Sequence, residues 1–213
     1  MPMVVAIDGP SGVGKGTLAR LIADHYGWDY LDTGSLYRAV ARDALAAHVP
    51  LSDSARLARV ADDLDLSTLD DPALRSETVG EAASVVAADK AVRAALLDVQ
   101  RRFAANPPSG KGAVLDGRDV GTVICPDAPV KLFLTADNDT RVRRRVLQLG
   151  LEEGSPEAAQ VAEALEVRDA RDAGRDVAPL VKPEDAHLLD TTNLDIDSTF
   201  RAALAVIEDH PAP

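Results

Sequence analysis

"MVVAIDGPSGVGKGTLARLI", residues 3–22, decides the architecture. Met3 to Ile7 is short, apolar and β-branched, the pattern of a strand buried in a parallel sheet. Gly9 to Thr17 follows at once, with Gly9, Gly14 and Lys15 in the register of a phosphate-cradling loop. Such a loop needs glycines that let backbone N–H groups turn toward phosphate oxygens. It also needs a helix start facing the anion, and a lysine that reaches the terminal phosphates. Gly9, Gly12, Gly14 and Gly16, a following helix with Leu18, Leu21 and Ile22 on one face, and Lys15 supply all three. Pro10, Ser11 and Val13 complete the loop. Gly16 stands where a serine or threonine would ligate magnesium directly, and the hydroxyl comes one residue later at Thr17. Magnesium is therefore expected to be held by phosphates and water rather than by a protein ligand, with Asp8 and Asp116 as candidates to hold those waters.

Working outward, further strands are read at Trp28–Leu31, Ala113–Leu115, Val130–Leu134 and His187–Leu189. Helices are read at Leu36–Ala47, Leu51–Leu69, Glu81–Phe103 with a break near Asp89, Asp139–Leu149, Ala158–Ala173 and Ser198–Asp209. The segment Leu51–Leu69 reads as solvent-facing. Alternating strands and helices predict an α/β fold with a parallel sheet flanked by helices. Ligands of such sheets bind at the carboxyl ends of the strands. The polar motifs Asp8–Thr17, Asp32–Arg38 and Asp116–Asp119 each follow a predicted strand.

The chain has 213 residues and a net charge of −12, which argues against general nucleic-acid binding. No apolar run approaches a membrane span, and the start carries no basic segment of a signal peptide. One cysteine, Cys125, excludes an intramolecular disulfide framework and fits a cytoplasmic location. No Cys/His cluster has metal-ligand spacing. Nothing in the pattern demands assembly, so a monomer is expected.

Phosphoryl transfer needs an acceptor in line and cations on the transferring group. Three stretches could supply them. "LDTGSLYR" offers Asp32, Thr33 and Arg38, an arginine that can pair with a phosphate. "DGRDVGT" sets Arg118 beside Asp119, a donor and an acceptor suited to a base edge bearing ring acceptors and an amino group. The same pair could equally be a surface ion pair. In "VRDARDAGRD", Arg168, Arg171 and Arg175 recur on one helical face, as do Asp169, Asp172 and Asp176. A solvated salt-bridged face is one reading. A lid that brings arginines to phosphates and excludes water is the other, since Gly174 and Pro179 end the helix there.

Together "IDGPSGVGKGT", "LDTGSLYR", "AASVVA" with Arg93, "DGRDVGTVICPDAPVKLFL", "RRRVLQL" and "RDARDAGRDVAPL" resemble the bacterial cytidylate kinases, a family of nucleoside monophosphate kinases, over most of the chain. The resemblance implies a P-loop NTPase three-layer fold with a five-stranded parallel sheet in the order 2-3-1-4-5. It implies one kinase domain over 1–213, with an acceptor-binding insertion at 38–105 and an arginine-rich lid at 148–178. It implies phosphorylation of CMP and dCMP by ATP with Mg²⁺. Gly9 to Thr17 would bind ATP. Lys15, Arg168, Arg171 and Arg175 would be catalytic. Thr33, Ser84, Arg93, Arg118 and Asp119 would hold the cytosine end, Arg38 and Arg175 the acceptor phosphate, and Asp172 the sugar. Arg144 and Arg145 match basic lid positions less specifically. Typical members carry a longer insertion with a small antiparallel sheet, whereas Leu66–Gly80 here is short and has little strand pattern.

Kinases of AMP or UMP are the near alternatives, and the carboxylate beside an arginine favours cytosine over adenine. A GTPase-like switch would need Asn-Lys-x-Asp after a late strand, and "DTTNLDI" has neither the lysine nor the spacing.

Overall fold

The computed structural model describes residues 2–210. Five strands form one sheet: β1 Met3–Asp8, β2 Asp29–Asp32, β3 Gly112–Gly117, β4 Val130–Thr135 and β5 His187–Asp190. Their order is β2-β3-β1-β4-β5, and the sheet is parallel, as the sequence implied. β1 lies in the middle, pairing Ile7 with Asp116 on β3 and with Leu132 on β4. Asp8 stands opposite Gly117, so the loop after β1 and the loop after β3 leave the sheet side by side. All of β3 is buried, which explains its unbroken apolar run.

Helices dock on this sheet. α1 (Lys15–Tyr26) packs on β1 and β3, and α8 (Ile196–Glu208) on β4, β5 and α1. Their apolar faces close a core with Leu18, Ile22, Leu132, Leu134, Ala203 and Ile207. Each fully buried large aliphatic side chain contributes roughly 1.5–3 kcal/mol. α6 (Asn138–Gln148) and α7 (Pro156–Ala173) pack on each other around Val146, Ala158, Val161 and Leu165.

The chain divides into two compact units. One comprises the residues up to Leu31 and those from Ala104 onward, and the other is Asp32–Phe103. The second unit is built from α2 (Thr33–Ala46), α3 (Ser54–Asp62), α4 (Glu77–Val86) and most of α5 (Lys90–Ala105). The insertion expected over 38–105 falls largely within it. Asp32 caps α2 by accepting the Ser35 N–H at 3.2 Å, so the helix begins earlier than the apolar pattern indicated. The expected helix over Glu81–Phe103 is two helices. The break comes where Asp89 accepts the N–H groups of Ala91 and Val92 at 2.9 and 3.0 Å.

The expectation of one solvent-facing helix over Leu51–Leu69 needs correction. Only Ser54–Asp62 is α-helical, and Leu57 and Ala61 are buried. Beyond Asp63 the carboxylates of Asp65 and Asp71 take backbone N–H groups for themselves and set two short 3₁₀ turns, Leu66–Thr68 and Pro72–Arg75. Among the described residues, no strand lies between β2 and β3.

Candidate active site

The phosphate loop joins β1 to α1. Gly9 sits at φ 149, and a side chain there would collide with the Leu134 carbonyl oxygen. Gly14, at φ 91, occupies the N-cap of α1 without any side-chain cap, so the first N–H groups of the helix keep their capacity for an anion. Lys15 is buried, and its Nζ donates to the Pro10 carbonyl at 2.6 Å, within the loop itself. Burial lowers its pKa to about 7, helped by the neighbouring Arg118 and Arg168 and opposed by Asp116 and Asp8.

Asp8 does not face open solvent. Its two carboxylate oxygens accept the N–H groups of Val120 and Gly121 at 2.9 and 2.7 Å. Burial raises its pKa to about 6 against the pull of those two bonds. Of the two acids expected to hold metal-bound water, Asp8 is thus committed to the turn after β3. That turn, Val120–Ile124, is π-helical and follows directly on Arg118 and Asp119. Asp119 is buried, 3% exposed.

Arg118 links α7 to the phosphate loop. Its Nε donates to Asp172 at 2.8 Å and its Nη2 to the Ser11 hydroxyl of the phosphate loop at 2.8 Å. Asp172, on the last turn of α7, also pairs with Arg175 and lies 3.9 Å from Arg168 Nε. Burial would raise its pKa, but Arg118, Arg175 and Arg168 together bring it below the ordinary value. The arginine-rich face is therefore not a solvated ladder at Asp172, which is 3% exposed. Arg171 is half-buried on the same turn. α7 stops at Ala173, and the Leu180 N–H folds back to the Asp172 carbonyl at 2.9 Å, with Ala178 in a left-handed conformation.

Asp116 is the penultimate residue of β3, just before Gly117, and accepts from the Tyr30 hydroxyl at 2.6 Å. Thr17 lies in the first turn of α1. Among the described residues no group of three or more acidic, His or Cys side chains could hold a metal ion. The residues present fit a magnesium held mainly by phosphates and water, for which Thr17 and Asp116 offer the nearby oxygens.

Within the second unit, Thr33 opens α2 and is buried. Arg38 Nη1 donates to the Leu74 carbonyl at 2.9 Å. Arg93 donates to the Ala87 carbonyl at 3.0 Å and lies over the Tyr37 ring, 5.4 Å from its centroid. The Ser84 hydroxyl is buried with no hydrogen-bond partner among the described residues. An orphaned buried hydroxyl is costly unless a ligand or water completes it.

Three residues beyond those singled out from the sequence contribute here. Tyr30 fixes Asp116. Arg141 donates to the Ser11 carbonyl at 3.4 Å and pairs with Asp169 on α7. Thr191, after β5, accepts from Arg144 Nη1 at 2.9 Å and approaches the loop carbonyl of Val13 at 3.3 Å. Arg141 stood inside a visible basic run, but only the fold separates it from Arg145, whose guanidinium meets Gln148 on the surface.

Residues 5–209 match the family model described as cytidylate kinase. A cytidylate kinase of Rhodopseudomonas palustris (strain BisA53) is 56% identical over 208 residues, covering 97% of this chain and 96% of that protein. Another, from Bradyrhizobium sp. (strain ORS 278), is 55% identical with the same coverage. Among solved structures, a gluconokinase from Sinorhizobium meliloti 1021 superposes with a TM-score of 0.54 at 16% identity, over 98% of this chain and 93% of that one. It shares the fold. The phosphate loop on β1, the "GRDVGT" turn beside it and the match over nearly the whole chain converge, and the chain belongs to the cytidylate kinase family.

Proposed function

We infer that the protein transfers the γ-phosphoryl group of ATP to CMP and dCMP, giving ADP with CDP or dCDP. Its membership of the cytidylate kinase family supports this reading. The observation that carries it is the pair of hydrogen bonds that Asp8 accepts from the Val120 and Gly121 N–H groups, which ties the phosphate-loop strand to the turn that follows Arg118 and Asp119.

The bond from the γ-phosphorus to the β-phosphate oxygen breaks, and one forms to an oxygen of the acceptor phosphate. That oxygen is already ionised at neutral pH, so no general base is needed, and catalysis rests on position and charge. Gly9 to Thr17 would wrap the ATP phosphates, with Lys15 reaching the transferring group. Arg168, Arg171 and Arg175 would take up the charge that develops on it. Thr33, Ser84, Arg93 and Asp119 would hold the cytosine end with Arg118, Arg38 and Arg175 the acceptor phosphate, and Asp172 the sugar. Bound magnesium would neutralise phosphate oxygens, with Thr17 and Asp116 orienting its waters.

The single cysteine and the net charge of −12 support a cytoplasmic enzyme without nucleic-acid partners. Among the described residues no helix is long and apolar enough to cross a membrane. We read it as a monomer, which sedimentation of the purified chain would test.

Purified protein is given ATP, Mg²⁺ and CMP, dCMP, UMP, AMP or GMP in turn, and ADP formation is followed. CMP and dCMP should turn over fastest. Faster turnover of AMP or GMP would overturn the reading. Asp119→Ala should weaken CMP far more than ATP, and equal weakening of both would remove Asp119 from base recognition.

A further inference from the structure

Arg38 and Arg42 stand one turn apart on α2 and share a face. Arg38 Nη1 donates to the Leu74 carbonyl at 2.9 Å. Gly80 of α4 has no side chain where one would come within 3.1 Å of the same nitrogen, so the guanidinium rests against bare helix backbone. The carbonyl at Leu74 belongs to the 3₁₀ turn Pro72–Arg75, in a stretch with no strand to hold it.

Arg42 holds that stretch. Its three nitrogens donate to three acceptors: Nε to Asp43 at 2.8 Å, Nη1 to Asp71 at 3.0 Å and Nη2 to Thr68 at 3.0 Å. Asp71 gives one oxygen to Arg42, and with the other accepts the Ala73 N–H at 2.9 Å, which starts the turn. The Asp71 carbonyl accepts the Leu74 N–H at 3.1 Å. A continuous path therefore runs from Arg42 through Asp71 and the turn to the Leu74 carbonyl and Arg38, all within one compact unit.

We propose that Arg42 is a positioning residue for Arg38, acting through the turn-built segment 65–75. This rests on the reading of Arg38 as the residue that grips the acceptor phosphate. A long arginine has many rotamers, and a carbonyl that holds one nitrogen restricts which way the planar fork can face, so less freedom is lost when it pairs with a phosphate. The side chains of Arg42 and Asp71 are 20% and 40% exposed. Ion pairs that exposed add little to global stability, so losing Arg42 should disturb Arg38 without unfolding the protein.

The test compares Arg42→Ala, Arg38→Ala and the double variant in the full-length enzyme. The readouts are KM for CMP, KM for ATP, and the inhibition constant of cytidine, which has the base and sugar but no phosphate. Arg42→Ala should raise KM for CMP about ten-fold and leave ATP and cytidine within about two-fold. Added to Arg38→Ala, it should change nothing further. Asp71→Asn, which keeps an oxygen for the turn but loses the charge facing Arg42, should move CMP in the same direction. The proposal fails if Arg42→Ala spares CMP, weakens cytidine as much as CMP, or adds fully to Arg38→Ala. If Arg38→Ala itself does not separate CMP from cytidine, the phosphate-gripping role of Arg38 falls, and the proposal with it. If Arg38→Ala separates them and Arg42→Ala does not, only the positioning role falls.

Discussion

The hydroxyl of Tyr30 on β2 donates to a carboxylate oxygen of Asp116 on β3 at 2.6 Å. Tyr30 also faces the loop, since a side chain at Gly16 would meet its hydroxyl at 3.4 Å. Asp116 thus has a fixed orientation at the carboxyl end of the sheet. Removing the carboxylate in Asp116→Ala should lower kcat by roughly 10² or more, and removing only its tether in Tyr30→Phe by about ten-fold. Because one residue acts through the other, the double variant should be no slower than Asp116→Ala. Full additivity of the two losses would show that Tyr30 works independently.

Lys15 should couple ATP binding to protons. In the ligand-free protein burial and neighbouring arginines lower its pKa to about 7. Polyphosphate beside it would raise the value again toward that of an ordinary lysine. At pH 8, between the two values, ATP binding should take up about one proton per site. Calorimetry in buffers of differing ionisation enthalpy measures this directly. The uptake should vanish in Lys15→Met, and a wild type that takes up none would contradict the coupling.

Asp8 gives the fold an unusual pH response. Its pKa is about 6 in the folded chain, above the ordinary aspartate value. The native state therefore binds more protons than the unfolded one between about pH 4 and 6, and this residue's contribution falls by about 3 kcal/mol as pH rises through that window. In Asp8→Asn that gain on acidification is gone. Denaturant titrations should show the variant losing more stability than wild type between pH 6 and 4, and parallel curves would refute the assignment.

Asp172 acts in the opposite sense. Its pKa is depressed, so the stability it provides at neutral pH is lost as pH falls through its folded value. Asp172→Asn leaves Arg118, Arg175 and Arg168 together without their carboxylate, at a cost of about 3 kcal/mol in docking the end of α7. Amide exchange in 165–173 should accelerate more than in β1 or β3. Unchanged exchange there would remove Asp172 as the anchor of the end of α7.

Much of this is legible in the sequence alone. The five strands, the phosphate loop and the break near Asp89 follow from periodicity and turn chemistry, which act over a few residues. The segment 51–69 misled because its Asp, Ser and Leu content satisfies a helical period. Whether Asp65 and Asp71 cap short turns or face water depends on where Arg42 and α2 lie. The triplet Arg168, Arg171 and Arg175 was visible as a pattern, but the burial of Asp172 beneath it was not. That requires Arg118, over fifty residues away, to come within reach. Tyr30 gave no signal at all, since a tyrosine in a strand is ordinary until its neighbour proves to be Asp116.

Gly9 sets a boundary on how the donor loop can be altered. Its would-be side chain runs into the Leu134 carbonyl on the adjoining strand, and that backbone cannot retreat without opening the sheet. A randomised library over residues 9–17 would lose its position-9 members to misfolding before any donor preference could be sampled. The tolerance for redesign lies instead around the rim, where Ser11 meets Arg118 and Arg141, so exchanges there would retune the loop through its arginine partners rather than through its backbone.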